Sequence, residues 1–370
     1  MSQNLFVISH LGQLSQIEAF IEQKKLLDNH LVVLYTERNM VMPKLLKTKY
    51  NEKKFKGIFF LKLPNFPNTL HLKKLLLMRN KYHEIVDKVK PKNLYLLSFE
   101  GHYNLLSTYV KLRGGKVFLI EEGTATYKKN IPKKVKGKKE YLTILCIQYL
   151  PFFNSLKTVL TRYVEFDKLY VAFPKLAQKR FQTNHIEYFF AYNTIKKSNH
   201  ITEIIKKYNI SSNDFIYVNQ YYTIQNEQFT STIITILMQF SKYSKGKVFI
   251  KMHPKDSTEL IKLFKQQISL KGIKETIILI DESEFLVEPI IAVVKLRGII
   301  GLTSTTLVYA PMISSITKVY SIAPIFLDKI MLNSYNQKGI NIMYEHFKIL
   351  QNFDHINILD NIDILESVIS

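Results

Sequence analysis

The chain has a single cysteine, Cys146, among 370 residues, so it cannot form an intrachain disulfide bond. A lone cysteine is typical of proteins that fold in a reducing compartment. The sequence also lacks the ~18 uninterrupted apolar residues that a membrane-spanning helix needs. Its most apolar stretch, YLTILCIQYLPFF at 141–153, is interrupted by Gln148 and Pro151. This stretch is a candidate for lying on a membrane surface or packing against a partner.

Two further features are missing or scarce. The N-terminal residues MSQNLFVISHLGQ lack the basic segment and long apolar core of a secretory signal. Asp and Glu number 30 against 52 Lys and Arg, a formal net charge of +22, and only six of those basic residues are arginine. Such a positive field attracts polyanions, so nucleic acid, an anionic membrane and an acidic polysaccharide are all candidate partners. Compositional drift towards lysine is the alternative source of part of this charge.

Short apolar runs alternate with longer amphipathic segments along the chain. The predicted strands are 4–10, 31–36, 57–63, 93–99, 116–122, 214–220, 247–253, 276–282 and 298–304. Amphipathic helices are predicted between most of them, at 14–25, 70–89, 228–243 and 257–272, with a mostly helical segment at 285–297. Strands that are apolar throughout and take turns with helices indicate parallel sheets covered on both faces.

The pattern therefore predicts an α/β protein with two Rossmann-like domains that face each other across a cleft, the GT-B arrangement. We place the domains at 1–200 and 201–370, joined through less regular sequence around 130–210. The last helices are allowed to pack back on the first domain.

Polar residues recur where the predicted strands end, which is where such sheets bind ligands. The first domain has His10 to Gln13, Ser98 to His102 and the doubled carboxylate Glu121-Glu122 followed by Gly123. A carboxylate that leaves a strand at this edge is suited to act as a general base. Two solvated surface glutamates are the alternative.

The second domain has matching features. His253 ends a strand within KVFIKMHPKD, and Pro254 restricts the backbone of that histidine. It is either a donor to a phosphate oxygen or an ordinary strand-end histidine in a basic loop. Ser304 and Thr305 begin the helix after GLTS, whose N–H groups suit an anion, although a helix cap needs no ligand.

Several common sites are missing from the sequence. It has no P-loop, no Cys/His cluster for zinc and no G-x-S-x-G motif. A metal-binding D-x-D is also absent, which argues against a metal-dependent GT-A transferase.

The ordered set Glu121-Glu122-Gly123, His253-Pro254 and Ser304-Thr305 resembles the motifs of bacterial sialyltransferases. The segments FVISHLGQL (6–14), IEEGTATYKK (120–129), VFIKMHPKD (248–256), GLTSTTLVYA (301–310), YSIAPI (320–325) and KGIN (338–341) further resemble the bacterial capsular polysialyltransferases. The resemblance implies transfer of sialic acid from CMP-sialic acid to the non-reducing end of a growing chain. It implies inversion at the anomeric centre, and neither metal nor cofactor.

The resemblance also implies residue roles. Glu122 is the favoured base, with Glu121 as the alternative, and His253 assists the phosphate leaving group. The implied phosphate contacts are Pro254, Ser304 and Thr305. The implied cytosine contacts are the backbone groups of Lys251 and Met252, and the implied ribose contact is Glu288. The implied contacts to the donor sugar are Gly12, Gln13, Asn219 and Gln220.

The implied acceptor carries one carboxylate per sugar, so a track of basic residues is expected to bind it. The candidates are His71, Lys73, Lys74, Lys128 and Lys129, with Lys133, Lys134, Lys136, Lys138 and Lys139 in a dense run that otherwise reads as a surface loop. Weak attraction of this kind holds a polymer near a site without fixing its register.

Two alternatives stay open. One is a sialyltransferase that acts once on a lipooligosaccharide or glycolipid. The other is a polyanion-binding protein without catalysis, which would not need the opposed acid and base groups. The sequence also lacks the aromatic-basic interleaving of RNA-recognition proteins. Family resemblance implies an α2,8 linkage, capsule assembly and export proteins as partners, and a peripheral position on the cytoplasmic face of an anionic inner membrane.

Overall fold

The computed structural model describes residues 3–37, 40, 43, 52–64, 71–99, 101–128, 137–161, 163–194, 199–254, 256–282, 285–330 and 332–369. Lys129, Lys133, Lys134 and Lys136 of the predicted acceptor track lie outside these residues. The chain divides into two compact units, Met1–Ala191 and Tyr192–Ser370. The predicted boundary at residue 200 lies slightly later in the chain.

The first unit is built on a seven-stranded sheet in which every described strand pair is parallel. Its strands are β1 (Asn4–Ile8), β2 (Asn29–Tyr35), β3 (Gly57–Lys62), β4 (Asn93–Leu96), β5 (Lys116–Ile120), β6 (Lys168–Val171) and β7 (Ile186–Tyr188). Its helices are α1 (Leu11–Lys24), α2 (Leu72–Val89), α3 (Tyr103–Leu112), α4 (Lys138–Tyr149) and α5 (Pro174–Phe181). Short 3-10 helices lie at Glu52–Lys54, Thr124–Tyr127, Pro151–Val159 and Ala191–Thr194.

The second unit repeats this plan with a six-stranded parallel sheet. Its strands are β8 (Phe215–Val218), β9 (Val248–Lys251), β10 (Ile277–Ile280), β11 (Gly298–Gly301), β12 (Lys318–Ser321) and β13 (Asn357–Ile358). Its helices are α6 (Asn199–Tyr208), α7 (Asn226–Tyr243), α8 (Thr258–Leu270), α9 (Glu288–Val294), α10 (Thr305–Ile313), α11 (Ala323–Lys329), α12 (Gln337–Leu350) and α13 (Leu365–Ile369).

Strand order places the ligand-binding edge of each sheet. The orders are β3-β2-β1-β4-β5-β6-β7 and β10-β9-β8-β11-β12-β13, so the winding direction reverses between β1 and β4 and between β8 and β11. A crevice forms at the carboxyl ends of the strands at such a reversal. The two predicted Rossmann-like domains are therefore confirmed, each with its own switch point.

Burial follows from the sequence pattern. Each residue of β1, β8, β9 and β11 is buried, as expected for strands covered by helices on both faces. Ile340, Met343 and Leu365, from the last helices, belong to the core of the second unit. The interpretation of 130–210 as merely less regular sequence was wrong, because this region supplies β6, α5 and β7.

Candidate active site

The first switch point gathers polar side chains from three strand ends around the Glu122 carboxylate. The ring Nε2 of His10, which follows β1, lies 2.7 Å from Oε1 of Glu122. The amide of Gln13 donates to the same oxygen at 3.0 Å, and the Ser98 hydroxyl, which follows β4, donates to Oε2 at 2.9 Å. These contacts hold both carboxylate oxygens in place while 26 % of the Glu122 side chain stays exposed.

The partners of Glu122 are themselves fixed. Oε1 of Gln13 accepts the backbone N–H of Ser9 at 2.6 Å, and the Gln13 amide also reaches the Ser98 hydroxyl at 3.3 Å. Gln16 donates to the carbonyl oxygen of Glu122 at 2.9 Å. The first turns of α1 therefore position the acidic residue at the end of β5, more than 100 residues later in the chain.

Glu121 has a different environment although it is the next residue. Its side chain is 4 % exposed, and its Oε2 accepts hydrogen bonds from the Tyr127 hydroxyl and from the Ala172 N–H, the latter at 2.6 Å. Both donors belong to the interior of the first unit. Glu121 thus ties the loop after β5 to the end of β6, whereas Glu122 faces the strand-end crevice.

Two local features open the space beside Glu122. Gly123 has φ +150°, a backbone conformation that residues other than glycine rarely adopt. A Cβ at Gly12 would lie 3.3 Å from Nδ1 of His10, so the glycine leaves that side of the ring uncrowded. Tyr103 lies next to the site, where burial and then the nearby Glu122 charge raise its pKa to about 12.

At the second switch point, Gln220 links the loops that follow β8 and β11. Oε1 of this residue, which follows β8, accepts the backbone N–H of Thr303, which follows β11, at 2.7 Å. The Tyr222 and Thr303 hydroxyls are also hydrogen-bonded to each other. Gln220 therefore shapes the loop that leads to the Ser304-Thr305 pair.

His253 is partly exposed, and the loop that carries it is held by Asp256. Oδ2 of Asp256 accepts the backbone N–H of His253 and the side-chain amide of Asn219, each at 2.7 Å. Asn219 is 1 % exposed, and its Oδ1 accepts the Tyr217 hydroxyl at 3.0 Å. Burial raises the pKa of Asp256, and its Oδ1 has no hydrogen-bond partner among the described residues.

Ser304 and Thr305 begin α10 as predicted. The Ser304 hydroxyl accepts the N–H of Thr306 at 3.3 Å, which is the geometry of a helix cap. Thr305 is partly exposed at the first helical position. The Thr306 hydroxyl donates to Oε1 of the buried Glu288 at 3.0 Å, and burial raises the pKa of that carboxyl.

Lys251 and Met252, at the end of β9, are buried and cannot present their side chains at the surface. The Lys251 ammonium lies 5.4 Å from the centre of the Phe285 ring. Burial lowers the pKa of Lys251 to about 8, against the opposing effect of the Glu288 and Asp256 charges. Pro254 is exposed.

The predicted acceptor residues lie on surface elements of the first unit. His71 precedes α2, Lys73 is exposed on its first turn, Lys74 is partly exposed beside it, and Lys128 is partly exposed after the 3-10 helix. Within the described part of the chain, no three His, Cys, Asp or Glu side chains are arranged to hold a metal ion.

The structure thus brings Gln13 and Glu122 together in the first unit, and orders Asn219 and Gln220 around the second switch point. Sequence analysis listed His10 and Ser98 at strand ends but assigned them no role, and it missed Gln16 and Asp256. The spacing His-Pro-Lys-Asp offered a signal for Asp256, since an Asp side chain can hydrogen-bond to backbone groups three residues earlier.

Comparison with solved structures shows the fold. The chain is similar to Arabidopsis thaliana UGT89C1 complexed with UDP, at 12 % identity and a TM-score of 0.53, covering 100 % of this chain and 90 % of that one. It is equally similar to UDP-GlcNAc 2-epimerase from Neisseria meningitidis bound to UDP-GlcNAc, at 12 % identity and a TM-score of 0.53. That match covers 99 % of this chain and 98 % of the epimerase chain. MurG of Acinetobacter baumannii is also similar, at 10 % identity and a TM-score of 0.50, covering 100 % of this chain and 90 % of that one. These similarities confirm the GT-B fold class.

No curated protein matches the chain. The model of one family, Alpha-2,8-polysialyltransferase (POLYST), matches residues 4–323. That span begins at β1 and ends at the start of α11, so it includes both switch points. The chain therefore belongs to the alpha-2,8-polysialyltransferase family and is a sialyltransferase, a glycosyltransferase with the GT-B fold.

Proposed function

We propose that the protein transfers sialic acid from CMP-sialic acid to the non-reducing end of an oligosialic or polysialic acid chain, forming an α2,8 linkage with inversion. The observation that carries this proposal is the ordered, partly exposed Glu122 carboxylate at a strand-end crevice. In the reaction, the acceptor hydroxyl oxygen bonds to the anomeric carbon, the bond from that carbon to the phosphate oxygen breaks, and CMP leaves. No metal is needed for these steps.

Glu122 rather than Glu121 is the glutamate that takes part in removing the acceptor proton. A general base must come within hydrogen-bond reach of the hydroxyl. The Glu121 carboxylate is buried and engaged by the Tyr127 hydroxyl and the Ala172 N–H. The Glu122 carboxylate remains accessible, and its donors hold it in one orientation.

His10 shares this task. If its Nε2–H donates to Glu122, its Nδ1 carries the lone pair, and the missing Cβ of Gly12 leaves room beside that nitrogen. The hydroxyl proton then passes to the Glu122–His10 pair, at the carboxylate or at Nδ1. A carboxylate that orients an imidazole stabilises the imidazolium that forms.

The second unit serves the leaving group. His253 donates to the phosphate, and Ser304, Thr305 and the first N–H groups of α10 bind it, acting where negative charge develops. Pro254 shapes the same loop. The backbone at Lys251 and Met252 is proposed to bind cytosine, and Glu288 the ribose. Gly12, Gln13, Asn219 and Gln220 shape the donor-sugar end of the two crevices.

The acceptor is held by the basic track. His71, Lys73, Lys74, Lys128 and Lys129 attract the carboxylate on each sugar of the polymer. Raising the salt concentration should therefore weaken the binding of long acceptors more than that of short ones, because the number of contacts differs. Nucleic acid is not a partner in this proposal.

The test is incubation of purified protein with CMP-sialic acid and a short sialic acid oligomer, followed by CMP release and product length. We expect a ladder of longer oligomers from the wild type, its loss in Glu122→Gln, and its retention in the surface variant Leu112→Ser. The same Glu122→Gln variant should still bind the polymer.

Other outcomes assign the protein differently. CMP release without elongation would favour a single addition to a lipooligosaccharide or glycolipid. Polymer binding without any CMP release would favour a polyanion-binding protein and contradict the proposal.

Family membership also supports a role in capsule biosynthesis. We propose that the protein works with capsule assembly and export proteins, in the cytoplasm, peripherally on the inner face of the bacterial inner membrane. Among the described residues, no helix is long and apolar enough to span a bilayer.

A further inference from the structure

Helix α4 is apolar in sequence but is barely buried. Of its 12 residues, KKEYLTILCIQY, only Glu140 and Ile147 are buried. A helix of a water-soluble domain normally turns its apolar side towards the core and its polar side outwards. Helix α4 departs from this rule.

Helical spacing locates the unusual face. Glu140 and Ile147 are seven residues apart and share one side of α4, so Lys138, Leu142, Leu145 and Tyr149 lie on the opposite side. Leu142 is 58 % exposed and Tyr149 is 75 % exposed. The outward side of the helix therefore carries a row of large apolar groups.

The exposed apolar surface continues beyond the helix. Leu150 is 47 % and Phe152 80 % exposed, and Tyr141 on the neighbouring side of α4 is 55 % exposed. We call the five residues Tyr141, Leu142, Tyr149, Leu150 and Phe152 the aromatic surface. Five large apolar side chains exposed within twelve consecutive residues indicate an interaction site.

The aromatic surface is attached to the first unit by an anchored segment. Leu156, in the 3-10 helix Pro151–Val159, is fully buried. The side-chain amide of Asn104 donates to the carbonyl oxygens of Thr158 and Thr161, each at 3.0 Å. The surface is therefore presented by an element that is fixed to the first unit.

Between residues 137 and 161, the exposed charges are of one sign. Lys138, Lys139 and Lys157 are exposed, whereas Glu140, the one acidic residue between 137 and 161, is buried. In the sequence, three more lysines precede the helix at 133, 134 and 136. A partner that suits this surface combines an apolar layer with negative charge.

We propose that the aromatic surface docks the enzyme on an anionic lipid bilayer, with Tyr149 and Phe152 at the level of the headgroups. Tyr rings favour this region because one end is apolar and the other polar. Lysines beside an apolar helix face add attraction to anionic headgroups. The proposal deepens the peripheral location proposed above and names the surface that produces it.

The test uses the full chain with vesicles of phosphatidylethanolamine and phosphatidylglycerol, compared with vesicles of phosphatidylcholine alone. We expect the wild type to sediment with the anionic vesicles. The double variant Tyr149→Ser with Phe152→Ser should bind them roughly tenfold less or weaker still, because two aromatic groups no longer leave water. The matched control is Leu112→Ser with Leu270→Ser, two leucines exposed by 76 % and 81 % on other helices.

Each outcome decides the proposal. Equal sedimentation of both double variants, or no wild-type binding to anionic vesicles, would overturn it. A dimer that the aromatic variant converts to monomers would assign the surface to a second copy of the chain and would also overturn it. The transferase assay separates this question from the catalytic one, since the aromatic variant should elongate free oligosialic acid normally.

Discussion

The carboxyl edges of the two sheets differ in how far their charged side chains are exposed. At the first edge, the Glu122 carboxylate is held by His10, Gln13 and Ser98 and stays 26 % exposed. At the second edge, Lys251 and Glu288 are each 6 % exposed, and Asp256 is largely withdrawn from water. The two units share a winding pattern but present different groups to a ligand.

The difference agrees with the roles proposed for the two edges. The proposed proton acceptor, Glu122, must meet the substrate, and its carboxylate is partly exposed. At the second edge the charged side chains are withdrawn from water, and the groups proposed to meet the phosphate are the His253 ring and the start of α10. The following changes test the comparison, from the largest expected effect to the smallest.

Glu122→Gln should lower kcat by about 10²–10⁴-fold, because the reaction loses its proton acceptor. Its melting temperature should stay near that of the wild type. The matched variant Glu121→Gln should instead cost about 1–3 kcal/mol of unfolding free energy, since an amide NH₂ would replace a buried acceptor. Steady-state kinetics and thermal denaturation of both variants would measure this; equal kinetic losses would contradict the separate roles of the two residues.

His253→Ala should lower kcat by about 10²–10³-fold, because the leaving phosphate loses a donor. Ser304→Ala serves as its comparison. It removes a helix cap and should destabilise the protein by about 1 kcal/mol as well as weakening donor binding. A donor with a better leaving group should restore activity to His253→Ala; failure to do so would argue against a role at the phosphate.

Asp256→Ala should raise the KM for CMP-sialic acid roughly tenfold, because the loop of His253 loses the acceptor of its backbone N–H. Asp281→Ala, which removes an exposed ion pair with Lys265, is the control and should leave the KM unchanged. A fall in melting temperature with an unaltered KM would reduce Asp256 to a purely structural residue.

Lys251→Met should change the pH dependence of stability. Burial lowers the pKa of Lys251 from 10.5 to about 8, so the unfolded chain binds more protons between these pH values. The contribution of Lys251 to stability should therefore rise with pH across that window, by on the order of 1–3 kcal/mol, and the wild type should gain stability relative to the variant. The variant should lack this rise. Denaturant unfolding at pH 7.5 and at pH 10 measures the difference, and parallel curves would contradict it.

Much of the architecture was predictable from the sequence. Buried parallel strands are apolar throughout, so runs such as 4–10, 116–122 and 247–253 were recognisable as strands. The prediction was wrong at 130–210, where for example β7 has three residues, none of them buried, and so gives no apolar run. The residues of α4 were noted as apolar, but exposure of their outward side required the packed unit.

The candidate site divides in the same way. Sequence alone determined that Glu121-Glu122, His253 and Ser304-Thr305 stand at strand ends, because the period of local structure places them there. Only the tertiary structure decided that Glu121 turns to Tyr127 and Ala172 while Glu122 turns to His10, Gln13 and Ser98. Adjacent residues leaving a strand point to opposite sides, and their partners come from strands that are distant in the chain and that only sheet pairing brings together.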